Sequence, residues 1–264
     1  MKNIFSHFKF LLSKINVYFR YKKKSIILGI KWILFGKEIS NFTYEIINED
    51  ELLHVAQNIT SLKYSFLKKI LDEINFKDNN LKKIFSENYY KEFLKKKIFG
   101  RRLLWYILVR TLKPDIVIES GVDKKLGSAL LVHGLYKNYL ENHKQNEFIG
   151  LDIENKKISY LNLKNNNSVN YKFYYQNTLD FLRKYESKKK TIYISDAYHN
   201  YDFEMKEYNL IKNNLAAGSI IISDNNSGSL SDFSIKHNKK LIYFHENVKN
   251  FWHKGGVTSV SFFY

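Results

Sequence analysis

Pro114-Asp-Ile-Val-Ile-Glu-Ser-Gly-Val-Asp-Lys-Lys-Leu-Gly-Ser128 is the stretch that decides the fold. It contains the chain's only proline, a residue that fits at the start of a strand and poorly inside one. A β-branched run follows and ends at Glu119. Gly121 then permits a turn that other residues resist. Gly127 and Ser128 open a helix, whose first amides are unpaired and carry a positive dipole. The stretch therefore predicts a strand, a tight loop and a helix N-terminus.

Downstream of this stretch, apolar runs alternate with helical patterns to the end of the chain. The predicted strands are 115–119, 148–151, 171–175, 191–195, 219–223, 241–244 and 257–263. The predicted helices are 126–140, 156–163, 179–185 and 203–215. Such alternation predicts an α/β fold with a mostly parallel sheet and helices on both faces. A ligand crevice then lies beyond the carboxyl ends of the strands.

The first part of the chain is predicted to be helical, which divides the chain into residues 1–112 and 113–264. Asn48 and Glu51 resemble a capping box at the start of one helix. Apolar residues keep helical spacing over residues 62–74, and a further helix is predicted over 103–112.

The cysteine content excludes some kinds of functional site, and the positive charge is concentrated at the start of the chain. The chain has a net charge of +17 and no cysteine, which excludes disulfides, thiolate zinc sites and a cysteine nucleophile. About half of the net charge lies in residues 1–37, which hold nine basic residues and no acid. Phe5, Phe8, Leu12, Ile15 and Phe19 form one apolar face at helical spacing.

Three interpretations of this basic amphipathic start stay open. Its apolar face packs on its own protein or on a second subunit of a homo-oligomer, or it lies on an anionic membrane surface, or it contacts nucleic acid. A second apolar patch, residues 25–36, is too short to span a bilayer.

Acidic residues follow several of the predicted strands. Asp152 ends the second strand, where an acid either binds ribose hydroxyls or caps the next helix. Asp196 and Asp224 each follow an apolar strand. If those strands are neighbours, the two carboxylates lie close and either share a proton or bind a divalent cation. His199 is either a proton acceptor or a structural residue.

In chain order, residues 101–264 resemble the class I S-adenosylmethionine-dependent methyltransferases. Within them, the resemblance is to the small-molecule O-methyltransferase branch that includes macrocin-type sugar O-methyltransferases and cephalosporin-hydroxylase-like relatives. The matching segments are the glycine-containing loop Glu119–Ser128, the acid Asp152, Gln176-Asn-Thr178, Asp196-Ala-Tyr-His-Asn-Tyr201, Ser219–Asp224 and the closing Gly255-Gly-Val-Thr-Ser-Val-Ser-Phe-Phe263.

The resemblance implies a Rossmann-like sheet of seven strands with an antiparallel last strand. It also implies roles for particular residues. The cofactor-binding set would be Glu119, Gly121, Gly127, Ser128, Asp152, Asn177 and Asp196. The catalytic residues would be Asp196 and His199. A Mg²⁺ ion would be held by Asp196, Asp224 and Asn225.

Four residues depart from the pattern of that branch. Lys125 replaces a frequent second glycine, and Ala197 replaces the usual glycine after Asp196. Asn177 and Asn225 replace acids, and the second of these weakens the case for a metal.

The expected function is O-methylation of a sugar or other small hydroxyl acceptor in glycan or natural-product biosynthesis. The expected location is the cytoplasm, and contact with the inner membrane face is one of the three open interpretations of residues 1–37. The alternatives are a catalytically degenerate scaffold docked on a membrane or partner, and a nucleic-acid methyltransferase. A nicotinamide-dependent enzyme is disfavoured, because the full G-x-G-x-x-G fingerprint is absent.

Overall fold

The computed structural model describes residues 30, 44–74, 79–86, 99–156, 159–162, 169–224, 227–249 and 255–263. The predicted basic amphipathic start, residues 1–37, lies outside the described residues apart from residue 30, and Asn225 also lies outside them.

Four helices precede the sheet in the described residues. They are α1 (Glu49–Thr60), α2 (Tyr64–Asp72), α3 (Asn79–Ile84) and α4 (Arg102–Leu112). The alternating part comprises β1 (Ile116–Ser120), α5 (Leu126–Asn142), β2 (Asn146–Asp152), β3 (Val169–Tyr175), α6 (Thr178–Lys184), β4 (Thr191–Ser195), α7 (Tyr201–Ile211), a 3₁₀ turn (Lys212–Asn214), β5 (Ser219–Ser223), α8 (Ser229–Lys236), β6 (Leu241–His245) and β7 (Val257–Phe263).

The strands form one seven-stranded sheet in the order β3-β2-β1-β4-β5-β7-β6. Strands β1 to β5 pair in parallel, while β7 pairs antiparallel with both β5 and β6. The prediction of a Rossmann-like, mostly parallel sheet with an antiparallel last strand is confirmed. The strand order reverses between β1 and β4, so the crevice at their carboxyl ends is where a ligand is expected.

Helices cover both faces of the sheet because successive strand residues point to opposite sides. Val117 of β1 belongs to the core that includes α1, α2, α4 and α5. Its neighbour Ile118 belongs to the core on the other face, with residues of α6, α7 and α8. The helices of the first part of the chain therefore share a hydrophobic core with the sheet. The domain boundary after residue 112 stays a prediction.

Two local predictions are wrong. Residues 159–162 are not helical: Leu161 makes an isolated β-bridge with Phe85, and the amide of Tyr160 donates to the carbonyl of Lys124. Asn48 does not cap α1 with its side chain. Its amide group instead joins α1 to the end of β6, because Nδ2 donates to the carbonyl of His245 and Oδ1 accepts from the amide of Asn247.

Within the described part of the chain, no helix has the length and apolar character needed to cross a membrane.

Candidate active site

The loops after β1 and β4 touch at Gly121. Its φ is +89°, and a Cβ there would lie 2.5 Å from the Cα of Ala197. Only glycine accepts both this backbone conformation and this approach. The amide of Asp196 also donates to the carbonyl of Ser120 at 2.8 Å. The loops after β1 and β4 are therefore fixed against each other where the strand order reverses, and this contact is called the crossing point.

Two cavities share this crossing point and are both lined by Gly121, Asp123, Asp196 and Ala197. The outer cavity, of about 550 Å³, is further lined by Asp152, Ile153, Asn177, Thr178, Tyr198 and Phe203. The inner cavity, of about 310 Å³, is further lined by Arg102, Glu119, Val122, Lys124, Leu126, Gly127, Tyr160 and His199. Seven of the predicted site residues thus line one or both of two adjoining cavities, while Ser128 and Asp224 line neither.

Asp152 is held at the outer cavity by backbone amides. Oδ2 accepts from the amide of Asp123 at 2.8 Å, and Oδ1 accepts from the amide of Glu154 at 3.0 Å. Because each carboxylate oxygen has two lone pairs, both oxygens keep the capacity to accept a further hydrogen bond. The predicted ribose-binding acid is therefore fixed in position.

Asn177 borders the same cavity and is the N-cap of α6. Its Oδ1 accepts from the amide of Leu179 at 2.8 Å. That bond orients the side chain, and it leaves the Nδ2 donor for another partner.

Glu119 lies at the base of the inner cavity and is 1% exposed. The hydroxyl of Ser128, in the first turn of α5, donates to its Oε2. A Cβ on Gly127 would collide with the Glu119 carboxyl, so the glycine makes room for it. Burial raises the pKa of Glu119 to about 8. The three predicted residues Glu119, Gly127 and Ser128 therefore form one buried unit.

Lys125 turns away from both cavities. Its side chain is buried, and Nζ lies 5.3 Å from the ring centroid of Phe173 and 5.7 Å from that of Tyr175. Burial lowers the pKa of Lys125. The ammonium is therefore held by aromatic rings of β3, and the departure from glycine at this position does not block the crevice.

Two arginines outside the predicted set of site residues lie against the predicted acid pair. Arg102 Nη2 is 3.2 Å from Asp196 Oδ2. Arg101 donates two hydrogen bonds to Asp224, from Nε to Oδ1 and from Nη2 to Oδ2, both of 2.5 Å. Among the described residues, no group of three His, Asp or Glu side chains is placed to hold a metal ion.

The pKa values of Asp196 and Asp224 are shifted in opposite directions. Burial and the neighbouring Asp224 raise the pKa of Asp196 to about 7. Burial also acts to raise the pKa of Asp224, but the charges of Arg101 and Arg102 outweigh it and the pKa is lowered. Asp196 therefore exchanges a proton near neutral pH, while Asp224 stays ionised.

His199 lies between two carboxyl groups. Its Nε2 is 3.6 Å from Asp196 Oδ1, and its Nδ1 is 3.7 Å from Glu204 Oε1. Glu204 is fully buried in the first turn of α7, and its Oε2 accepts from the hydroxyls of Ser227 and Ser229. The interaction with Glu204 raises the pKa of His199. Glu204 was not predicted, although its place in the first turn after the Asp196–Tyr201 segment was a usable signal.

Comparisons with known proteins give structural likeness only. No protein-family model matches the chain. No curated protein matches it either.

Three solved structures illustrate the structural likeness. An SAH-bound methyltransferase from Podospora anserina is 14% identical, with 84% of this chain and 98% of that chain covered and a TM-score of 0.42. The O-methyltransferase TomG from Streptomyces achromogenes, in complex with SAM, is 11% identical, with coverage of 71% and 91% and a TM-score of 0.44. An O-methyltransferase from Bacillus cereus in complex with SAH is 12% identical, with coverage of 79% and 96% and a TM-score of 0.40.

Proposed function

We propose that this protein is an S-adenosylmethionine-dependent methyltransferase that methylates a hydroxyl group of a sugar or other small acceptor, in glycan or natural-product biosynthesis. One observation carries the proposal. Two cavities meet where Gly121 contacts the backbone of Asp196 and Ala197, with a fixed acid, Asp152, on one side and His199, which lies between two carboxyl groups, on the other.

The outer cavity suits the nucleoside part of S-adenosylmethionine. Its volume of about 550 Å³ lies within the usual range for a small-molecule site. Asp152 offers acceptors for ribose hydroxyls, Asn177 offers an amide for the adenine edge, and Ile153 and Phe203 offer apolar surface. When bound, the cofactor supplies a methyl group on a positively charged sulfur, already activated for transfer.

His199 is the proposed general base. An alcohol loses its proton with difficulty near neutral pH, so a positioned acceptor is needed. The Glu204 carboxylate beside Nδ1 favours a proton on that nitrogen, which leaves Nε2, on the Asp196 side, as the acceptor. In this scheme Asp196 either takes the proton on from Nε2 or accepts it directly from the hydroxyl, since its pKa of about 7 permits both states.

The test is methyl transfer from labelled S-adenosylmethionine to fractionated cell glycans and lipids. We expect the wild type to label one fraction and Asp196→Asn to lose that activity, while cofactor affinity by calorimetry stays within a few-fold. Asp180→Asn, on the exposed surface of α6, is the control. Unchanged turnover in Asp196→Asn would remove the assignment of the site.

The same titration tests the rival non-enzyme interpretation. A degenerate scaffold has no need to bind S-adenosylmethionine, so absence of binding by the wild type would favour it. A nucleic-acid acceptor predicts labelling of RNA or DNA that falls steeply with salt.

Docking on a membrane is a separate proposal that concerns residues 1–37. Their nine positive charges suit an anionic lipid surface at the cytoplasmic side. Liposome binding by the full chain and by a chain lacking residues 1–37 tests it independently of activity.

A further inference from the structure

Both carboxylate oxygens of Asp224 accept hydrogen bonds from Arg101. Besides the two bonds of 2.5 Å, Arg101 Nη2 donates to the main-chain carbonyl of Asp224 at 3.1 Å. The side chains are 13% and 1% exposed. Such a bidentate pair is among the strongest and most directional contacts in proteins. A Mg²⁺ ion that bound this carboxylate would have to displace the Arg101 guanidinium, because the positive charge already lies against both oxygens.

The guanidinium of Arg101 is itself fixed by the end of β6. Glu246 accepts from Nη1 at 2.6 Å and from the Arg101 amide at 3.0 Å. The hydroxyl of Tyr44 donates to Glu246 at 2.8 Å and accepts from Nη1 at 3.0 Å. A Cβ on Gly256 would lie 2.8 Å from Cζ of Arg101, so this glycine leaves room for the group. Arg101 is therefore not a surface side chain that can swing away.

Asp196 also has a guanidinium beside it. Arg102 Nη2 lies 3.2 Å from its Oδ2, and the Arg102 guanidinium also stacks over Trp105 at 5.2 Å from the ring centroid. Two carboxylates and two guanidiniums thus occupy the position where Mg²⁺ was expected. A divalent cation there would meet two positive charges in a buried environment, where repulsion is strong.

We propose that Arg101 is a built-in replacement for the divalent cation, so that the reaction at this site is metal-independent. The metal independence of the reaction rests on the proposed methyltransferase function. The contact of Arg101 with the Asp224 carboxylate does not depend on that function. Arg101 is a positioning residue: it holds Asp224 and the β6 end beside Asp196 and leaves the acceptor's proton to His199 and Asp196.

The test is Mn²⁺ binding by the full chain in the absence of cofactor and acceptor. Electron paramagnetic resonance and calorimetry measure this binding. We expect the wild type to bind no Mn²⁺ at this site. We expect Arg101→Ala to gain one Mn²⁺ per chain, displaced by Mg²⁺, and Arg101→Ala/Asp224→Asn to lose it. Arg101→Lys keeps a charge beside Asp224 and should bind none.

Three results would overturn the proposal. One is Mn²⁺ binding by the wild type that Asp224→Asn abolishes. Another is a folded Arg101→Ala that binds no Mn²⁺. The third is loss of wild-type methyl transfer in excess EDTA. The first needs no folded Arg101 variant, and neither binding result depends on methyl transfer, so failure of the proposed function is recognised separately.

Discussion

Gly121 is the residue on which the shape of the crevice depends. Its φ of +89° costs an L-residue about 1–2 kcal/mol, and the backbone of Ala197 leaves no space for a methyl group. We expect Gly121→Ala to lower the free energy of unfolding by more than that and to abolish S-adenosylmethionine binding. Urea unfolding and calorimetry measure the two effects.

Gly218 provides a matched control. Its φ is +79°, but the nearest atom to a methyl group at this position would be Cε of the flexible Lys190 side chain, at 3.3 Å. Gly218→Ala should therefore lose about 1–2 kcal/mol from the backbone alone and keep cofactor binding. Equal behaviour of the two variants would show that the contact of Gly121 with Ala197 has no special role.

Glu204 is a second residue with a specific consequence. Because its carboxylate raises the pKa of His199, Glu204→Gln should lower that pKa. The signal is the pH titration of the His199 ring protons by nuclear magnetic resonance. If His199 is the base, the rising limb of the rate against pH should move to lower pH in the same variant.

Asp202, an exposed acid in the same turn of α7, is the control for that substitution. Asp202→Asn should leave both the His199 titration and the rate profile where they are in the wild type. A shift of equal size in both variants would mean that the general charge of α7, rather than the Glu204 contact, sets the titration.

At the scale of elements, α6 depends on its cap. Asn177 satisfies the amide of Leu179, and removing such a cap costs typically about 1 kcal/mol. We expect Asn177→Ala to lower the free energy of unfolding by that amount, and Asn177→Asp to retain stability. Urea unfolding is the measurement, and a loss in Asn177→Asp as large as that in Asn177→Ala would contradict the capping role.

The sheet was predictable because its central strands are short β-branched runs that are buried on both faces. Residues 191–195 and 219–223 were predicted with the bounds that the structure gives. The helix predicted over 156–163 fails for a tertiary reason, since Leu161 pairs with Phe85 from a distant part of the chain. No helix was predicted at α8, whose sequence SLSDFSIK is short and rich in serine.

The position of acidic residues at the crevice was predictable where they lie at strand ends, and contacts that depend on packing were missed; the roles of these residues stay predictions. The sequence places Asp152 at the end of β2, and Asp196 and Asp224 directly after β4 and β5. Arg101 and Arg102 were missed because they precede the sheet and meet it only in the fold. One signal was present: two arginines at the start of a buried apolar helix are unfavourable toward its dipole and therefore need acidic partners.

At the scale of the whole molecule, buried acids make stability depend on pH. Burial raises the pKa of Glu207 to about 7, although hydroxyls of Ser120, Tyr193 and Ser195 donate to it. The folded protein then binds one proton more than the unfolded chain between about pH 4.5 and 7. The contribution of Glu207 to the free energy of unfolding therefore falls by about 1.4 kcal/mol per pH unit as pH rises through that window.

Glu119 and Asp196 have raised pKa values of about 8 and about 7, so they act in the same direction. We expect the free energy of unfolding to fall between pH 5 and pH 8, with a shallower slope in Glu207→Gln. Urea unfolding at several pH values measures both slopes. Glu186→Gln, at an exposed position, should keep the wild-type slope, and an unchanged slope in Glu207→Gln would show that this group is not the source.

The buried Lys125 gives the molecule an internal reporter. The chain has no cysteine for thiol labelling but is rich in lysine, so amine-reactive footprinting is its natural chemistry. Lys125 is 2% exposed beneath the rings of β3, next to the loop that begins at Gly121. Its rate of modification, read by mass spectrometry against exposed lysines such as Lys184, would follow the opening of that loop. Ligands that close the crevice would then be recognised by protection of one amine, without knowledge of the acceptor.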